Sequence, residues 1–355
     1  MSRLVILAPN WIGDAVMALP AIASVRQWQA GAHLTVAARQ SVAPLFSMVP
    51  GIDAVVTLRG RGGWPDAWRT RADARTLDAG NYDAALLLPN SLHAALLARA
   101  AGIPQRWGYA ADVRSRMLTR ALPKPRGFMH QAEYYLQLVR GLGGLRASMV
   151  AELQPTEDDR QRAVALLREL GWDGTPIVAF APGAAFGLAK RWPPNRMAAV
   201  AATLAERLHV TPVLVGTGAD RSATREVARA YRHDRGREAP IVDVAGRTEL
   251  STLVALFGMC TSVVSNDSGA MHLAAASGVP VTALFGPTNE LRTSPLPHPS
   301  AAGTAILAGR AWCRPCELRA CPLDHRCMTS IEVQAVVEAT ARNIELWRRS
   351  RGDRA

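Results

Sequence analysis

Short apolar runs alternate with helical stripes along the whole chain, and that rhythm restricts it to a narrow set of folds. In the first half the runs lie at 4–8, 33–38, 54–58 and 84–88. In the second they lie near 176–181, 212–216, 240–244, 262–265 and 280–285. Their length and apolar content predict buried strands. Between the first two, Ala15, Ala18, Leu19, Ile22 and Val25 share one stripe of a helix predicted over 14–29. Strands separated by helices build right-handed βαβ units and a parallel sheet. At 355 residues the chain exceeds one ordinary core, so the expected class is α/β with two doubly wound, Rossmann-like domains. Facing each other, they would place a ligand cleft at the carboxyl ends of both sheets.

The polar run from Gln154 to Asp159 opens a helix to Leu170, capped by Thr156, and puts the hinge near 150–175. The expected domains are 1–165 and 166–330, followed by a closing helix and tail over 331–355. Thr329-Ser330-Ile331-Glu332 is the capping signal of that last helix. The arginine-rich stretch from Arg59 to Arg75, with Trp64 and Trp68, breaks the rhythm and reads as an exposed loop or short helix.

Apolar residues make up 49% of the chain, which predicts a folded globule. The net charge of +12 rests more on arginine than on lysine and calls for anionic partners. These could be nucleic acid, phosphorylated glycans or an acidic membrane face. No DNA-reading motif and no basic strand interleaved with aromatics occurs, so nucleic acid is not the expected partner. Leu4 to Ala8 is too short for a membrane span and lacks a cleavage pattern, so the expected location is cytoplasmic.

Chemistry concentrates at three strand ends. Ser262 to Ser265 runs into Asn266-Asp267-Ser268-Gly269-Ala270-Met271-His272 and a small-residue helix. Asn, Asp and Ser at a helix entry satisfy some open backbone N–H groups. The remaining N–H groups point outward at the positive end of the helix dipole, where a phosphate fits. Gly269 removes a side chain where a ligand would approach. Gly286-Pro287-Thr288-Asn289 follows the next strand at the same sheet edge, and the pair predicts a nucleotide-diphosphate cleft. Asp267 would order the loop or accept bonds from sugar hydroxyls. His272 is either a ligand contact or a hydrogen-bonded core histidine.

The second strand end is Asn10-Trp11-Ile12-Gly13-Asp14. Asp14 is placed either to act as a general base or merely to cap its helix. The third is the loop from Phe180 through Gly183 to Lys190, Arg191 and the Pro193-Pro194 helix start. There the two cations can swing towards a diphosphate or stay solvated. Cys313, Cys316, Cys321 and Cys327 lie within fifteen residues of one another, with Cys260 apart. A structural zinc site, disulfides and free thiols are all compatible with their imperfect spacing.

Taken in order, these segments resemble the ADP-heptose-dependent lipopolysaccharide heptosyltransferases, glycosyltransferase family 9, of the GT-B type. The resemblance spans nearly the whole chain and rests on Pro9 to Asp14, Leu88-Pro89-Asn90-Ser91 and Ala101 to Tyr109. It continues through Met129-His130-Gln131, Pro182 to Pro193 and Ser265 to His272. It implies Asp14 as catalytic base and Gly183, Lys190, Arg191, Asp267, Ser268, Gly269 and His272 on the ADP-sugar donor. Asn10, Trp11, Asn90, Ser91 and Arg120 would lie on the acceptor side. At Ala185, where the family often has an acidic residue, this chain departs.

The implied reaction is an inverting, metal-independent transfer of L-glycero-D-manno-heptose from ADP-heptose to the first heptose of the inner core. No cofactor is implied. Asn90-Ser91 and Met129-His130-Gln131 favour the second of the three heptosyltransferase types. The first and third types, with other acceptors, are the alternatives, as is a non-catalytic nucleotide-sugar-binding envelope protein. The anionic acceptor would lie at the inner face of the cytoplasmic membrane, held by Arg59, Arg61, Arg69, Arg71, Arg75, Arg114, Arg116 and Arg120.

Overall fold

The structure, a computed structural model, describes residues 1–60, 67–111, 113–145, 147–299 and 303–350. Two compact units divide it, Met1–Ala151 and Glu152–Ala355. The first carries β1 (Arg3–Leu7), β2 (His33–Arg39), β3 (Ala54–Leu58), β4 (Ala84–Leu87), β5 (Gln105–Ala110) and β6 (Arg120–Pro123). The second carries β7 (Ile177–Ala181), β8 (Thr211–Leu214), β9 (Val242–Asp243), β10 (Cys260–Asn266), β11 (Val281–Phe285) and β12 (Thr304–Ala308).

The sheet orders are β3-β2-β1-β4-β5-β6 and β12-β11-β10-β7-β8-β9, every pair parallel. Counted within its own unit, the second order is the first one repeated. In each sheet the strand order reverses once, between β1 and β4 and between β7 and β10. Open parallel sheets bind ligands outside the carboxyl ends of the strands at that reversal. The loops after Leu7 and Leu87 in one unit, and after Ala181 and Asn266 in the other, are therefore the places to look.

β1, β4, β7, β10 and β11 are buried along nearly their whole length, as helices on both faces require. Three strands escape the apolar signal. β5 begins with Gln105 and Arg106, β6 is a mostly exposed edge ending in Pro123, and β12 alternates exposed and half-buried residues.

The unit boundary falls ahead of the expected 165, because the helix Glu157–Glu169 is fastened to the second unit. The Leu153 N–H donates to the Ala276 carbonyl (2.9 Å) and the Ser251 hydroxyl donates to Asp159 (2.6 Å). The closing helix, Val333–Ser350, is no separate appendage either. Its Val336, Val337 and Ile344 belong to the second unit's core. The single helix expected over 14–29 is two, Ile12–Met17 and Leu19–Trp28. Pro20 cannot donate to the carbonyl four residues back, so the ladder breaks and restarts with proline in its first turn. Part of the arginine-rich stretch is the helix Ala67–Asp78, while Arg61 and Trp64 lie outside the described residues.

Candidate functional site

In the first unit, the chain leaves β1 through Ala8-Pro9-Asn10 and enters the helix Ile12–Met17. Trp11 is its N-cap residue and makes no side-chain cap bond, which leaves Asp14 as the third helical residue and half-buried. A carboxylate in the first turn is favoured by the helix dipole. Asp14 also lies within electrostatic range of Tyr135, in the helix Gln131–Gly141. Burial raises that phenol's pKa, and the Asp14 charge raises it further. Asn10 and Trp11 are exposed at the strand end, the indole at 55%.

The loop after β4 is held from three sides. The Asn90 amide donates to the Tyr134 hydroxyl (2.7 Å) and accepts from Arg114 (3.2 Å). Ser91 accepts from the Ala94 N–H and caps the helix Leu92–Ala100. Arg114 is fully buried and also donates to the Tyr109 carbonyl (2.9 Å) and the Pro89 carbonyl. This corrects its reading as a surface cation, because its charge is consumed in holding the loop. His130 caps the helix Gln131–Gly141 through the Ala132 N–H (3.1 Å), and the Tyr109 hydroxyl donates to the Tyr134 carbonyl (2.9 Å). The scattered motifs of the first half therefore meet around one strand end. Arg120 does not join them. It lies on the edge strand β6 and donates to the Leu142 and Gly141 carbonyls, closing the end of a helix.

In the second unit the two reversal loops are locked together. The Asn266 amide donates to the Pro182 carbonyl (2.8 Å) and accepts from the Trp192 N–H (3.2 Å). Lys190 Nζ lies 2.6 Å from Asp267 Oδ2, with side chains only 12% and 4% exposed. Thr288, from the loop after β11, donates to the same oxygen (2.6 Å). Ser268 is the N-cap residue of the helix Gly269–Ala276 and makes no side-chain cap bond, so the first-turn N–H groups have no capping side chain. Among the described residues Asp267 is the one hydrogen-bond partner of the Lys190 ammonium, which has three donors.

Arg191 pairs with Asp220 at 3.7 Å. Gly183 is explained by that same carboxylate. A Cβ there would stand 2.2 Å from Asp220 Oδ1, so the missing side chain makes room for protein. His272 is 3% exposed. Of the two readings open to it, that burial fits the core histidine.

All five cysteines are free thiols. Burial raises the Cys327 thiol, and Cys316, Cys313 and Cys321 add to the shift, so the four sulfurs lie within electrostatic range of one another. Among the described residues no three His, Cys, Asp or Glu side chains are arranged to hold a metal. Sequence reasoning missed Tyr134, placed Thr288 in the right loop without giving it a role, and read Arg114 as a surface cation. An arginine in a polar loop looks solvated, and only the fold reveals it as buried.

The family model described as glycosyltransferase family 9 (heptosyltransferase) matches residues 70–326. Lipopolysaccharide heptosyltransferase 2 of Escherichia coli is 30% identical over 83% of this chain and 86% of its own length. Lipooligosaccharide heptosyltransferase 2 of Haemophilus influenzae is 31% identical over 83% and 86%. The solved structure of the E. coli ADP-heptose heptosyltransferase II superposes with a TM-score of 0.79 at 27% identity, covering 97% of this chain and 99% of that one. A family 9 enzyme from Veillonella parvula gives 0.82 at 22% identity, covering 97% of each chain. With its twin sheets and its paired strand-end loops, the chain belongs to glycosyltransferase family 9, the heptosyltransferases.

Proposed function

We propose that this chain transfers L-glycero-D-manno-heptose from ADP-heptose to the first heptose of the lipopolysaccharide inner core, with inversion at the anomeric carbon. The observation that carries this is the Lys190–Asp267 pair at the uncapped start of the helix Gly269–Ala276, on the reversal of the second sheet. Support for the acceptor class comes from relatives named lipopolysaccharide heptosyltransferase 2 and lipooligosaccharide heptosyltransferase 2.

Asp14 takes the proton of the acceptor hydroxyl as that oxygen attacks the anomeric carbon. The bond from that carbon to the pyrophosphate breaks on the opposite face, and its electron pair leaves with ADP. Lys190, Arg191 and the open N–H groups of residues 269–271 stabilise the growing negative charge. This is the work a divalent cation performs in other glycosyltransferases. Ser268 and Gly269 line the approach to the phosphates. Asn10 and Trp11 offer a polar group and a ring face to the acceptor sugar, while Asn90 and Ser91 shape the loop beside them.

Asp14→Asn keeps the size and shape of the side chain and removes its basicity. Turnover, read by mass spectrometry of mono-heptosylated acceptor incubated with ADP-heptose, should fall about 10²–10⁴-fold, with ADP affinity unchanged. Full activity in that variant would remove the base assignment.

The acceptor is lipid-borne, so the enzyme works at a membrane face. No helix among the described residues is long and apolar enough to cross a membrane. Association through charge follows, using exposed arginines such as Arg71, Arg75 and Arg116. Cosedimentation with phosphatidylglycerol vesicles should weaken steeply with salt. Binding insensitive to salt would rule this electrostatic mode out.

A further inference from the structure

The segment that carries the four cysteines touches both loops that build the proposed donor site. Arg314 Nε donates to the Gly286 carbonyl (2.6 Å) and its Nη2 donates to the Thr288 carbonyl (2.9 Å), with Glu290 as its ion-pair partner. The Glu317 N–H donates to the Pro287 carbonyl (3.0 Å), and its carboxylate pairs with Arg292 (3.3 Å). Thr288, held this way, is the residue that donates to Asp267.

The same segment reaches the other loop two residues further on, at Arg319. The Arg319 carbonyl accepts from the Ala189 N–H (3.1 Å) and passes so close to Gly187 that a Cβ there would stand 2.2 Å from it. The Arg319 guanidinium lies 5.3 Å from the centre of the Phe186 ring, and the Lys190 ammonium 4.8 Å from the same ring. Both contacts are within cation–π range. One short stretch therefore grips the backbone beside Lys190 and the backbone beside Thr288. The Lys190–Asp267 pair closes between them.

We infer that the segment Cys313–Cys327 is a strap that positions Lys190 and Asp267 for the donor pyrophosphate, with Arg314 and Arg319 as its positioning residues. Neither arginine needs to touch the donor. They act by fixing two loops whose separation sets the distance from Lys190 to Asp267. The inference rests on the donor reading above and deepens it. Because coupling between two sites is reciprocal, a strap that strengthens ADP binding must itself be tightened by bound ADP. Cys313, Cys316 and Cys321, half-buried within it, are built-in reporters of that tightening.

The test uses the full chain and ADP alone, with no acceptor, so it is independent of the transfer reaction. Calorimetry should show ADP binding to the wild type, and no binding there would count against the donor reading itself. Arg314→Gln and Gly187→Ala act from opposite ends of the strap, one by releasing it and the other by pushing it away. Each should weaken ADP binding about tenfold, within the usual range of such couplings. Saturating ADP should slow alkylation of Cys313, Cys316 and Cys321 by N-ethylmaleimide in the wild type, read residue by residue by mass spectrometry. The protection should shrink in both variants. Circular dichroism and the unprotected alkylation rate of the distant, buried Cys260 report whether the fold is intact. Wild-type ADP affinity in folded variants, or equal alkylation rates with and without ADP in the wild type, would overturn the strap.

Discussion

Lys190 is one of two lysines in the chain, Lys124 being the other, among 41 lysines and arginines together. An arginine fork is suited to planar, two-pronged contacts, while an ammonium is a compact charge with three rotatable donors. Lys190 spends one donor on Asp267, and in the proposed reaction the others serve the donor pyrophosphate. Removing it has two separable effects. Lys190→Ala deletes charged hydrogen bonds to the pyrophosphate, each worth about 1.5–3 kcal/mol, so ADP should bind about 10–100-fold more weakly by calorimetry. It also leaves Asp267 buried without its cation, which costs about 3–5 kcal/mol in such pairs and should lower the unfolding midpoint. Adding Asp267→Asn to Lys190→Ala should restore much of the stability without restoring ADP affinity. Unchanged affinity in the single variant would take Lys190 off the phosphate.

At the scale of the element, the helix Glu157–Glu169 shows how a local signal and a distant one combine. Thr156 caps the helix as the sequence predicts, and the cap is one half of a capping box, with the Thr156 N–H donating to Asp159 at 2.9 Å and the Asp159 N–H donating to Thr156 Oγ1 at 3.2 Å. The same carboxylate accepts from Ser251 and pairs with Arg162. Burial works to raise the Asp159 pKa, but the hydrogen bonds from Ser251, Thr156 and Arg162 outweigh it and hold the group well below the carboxylate range. A lowered pKa contributes stability that is complete above the unfolded value, near pH 4, and that fades as the pH falls below it. Asp159→Asn should therefore lose about 1–3 kcal/mol at neutral pH and show a flatter decline in stability below about pH 4. Denaturant titrations at several pH values would check both.

The Thr156 cap is a matter of four neighbouring residues, which is why it was legible, whereas the bond from Ser251 depends on a fold that brings residues 92 apart together. The strand ends carrying Asn10, Lys190 and Asp267 were legible for a similar reason, since apolar runs ending in Gly, Pro, Asn and Asp announce themselves locally. Arg114 and Arg120 were not. Each spends its guanidinium on backbone carbonyls, Arg114 on those 5 and 25 residues away and Arg120 on those 21 and 22 away, and no pattern of neighbours encodes that. β6 and β12 stayed hidden because an edge strand does not need the apolar content that makes inner strands visible.

On the scale of the whole molecule, the two units repeat one winding order, and each keeps the loops that matter at its own reversal. The first sheet carries the proposed base and the proposed acceptor-side residues, while the second carries the proposed phosphate-binding pair and the inferred strap. Positive charge is likewise distributed over both. In the second unit, Arg225, Arg229, Arg232 and Arg237 line a pocket of about 700 Å³ around Ala228, Ile241 and Val242, so the basic excess is not confined to the first half. With the roles proposed above, the doubled winding puts recognition of the activated sugar and choice of the molecule that receives it on separate stretches of chain. Evolution can then retune which core sugar is extended by editing the front stretch alone, leaving the nucleotide grip untouched.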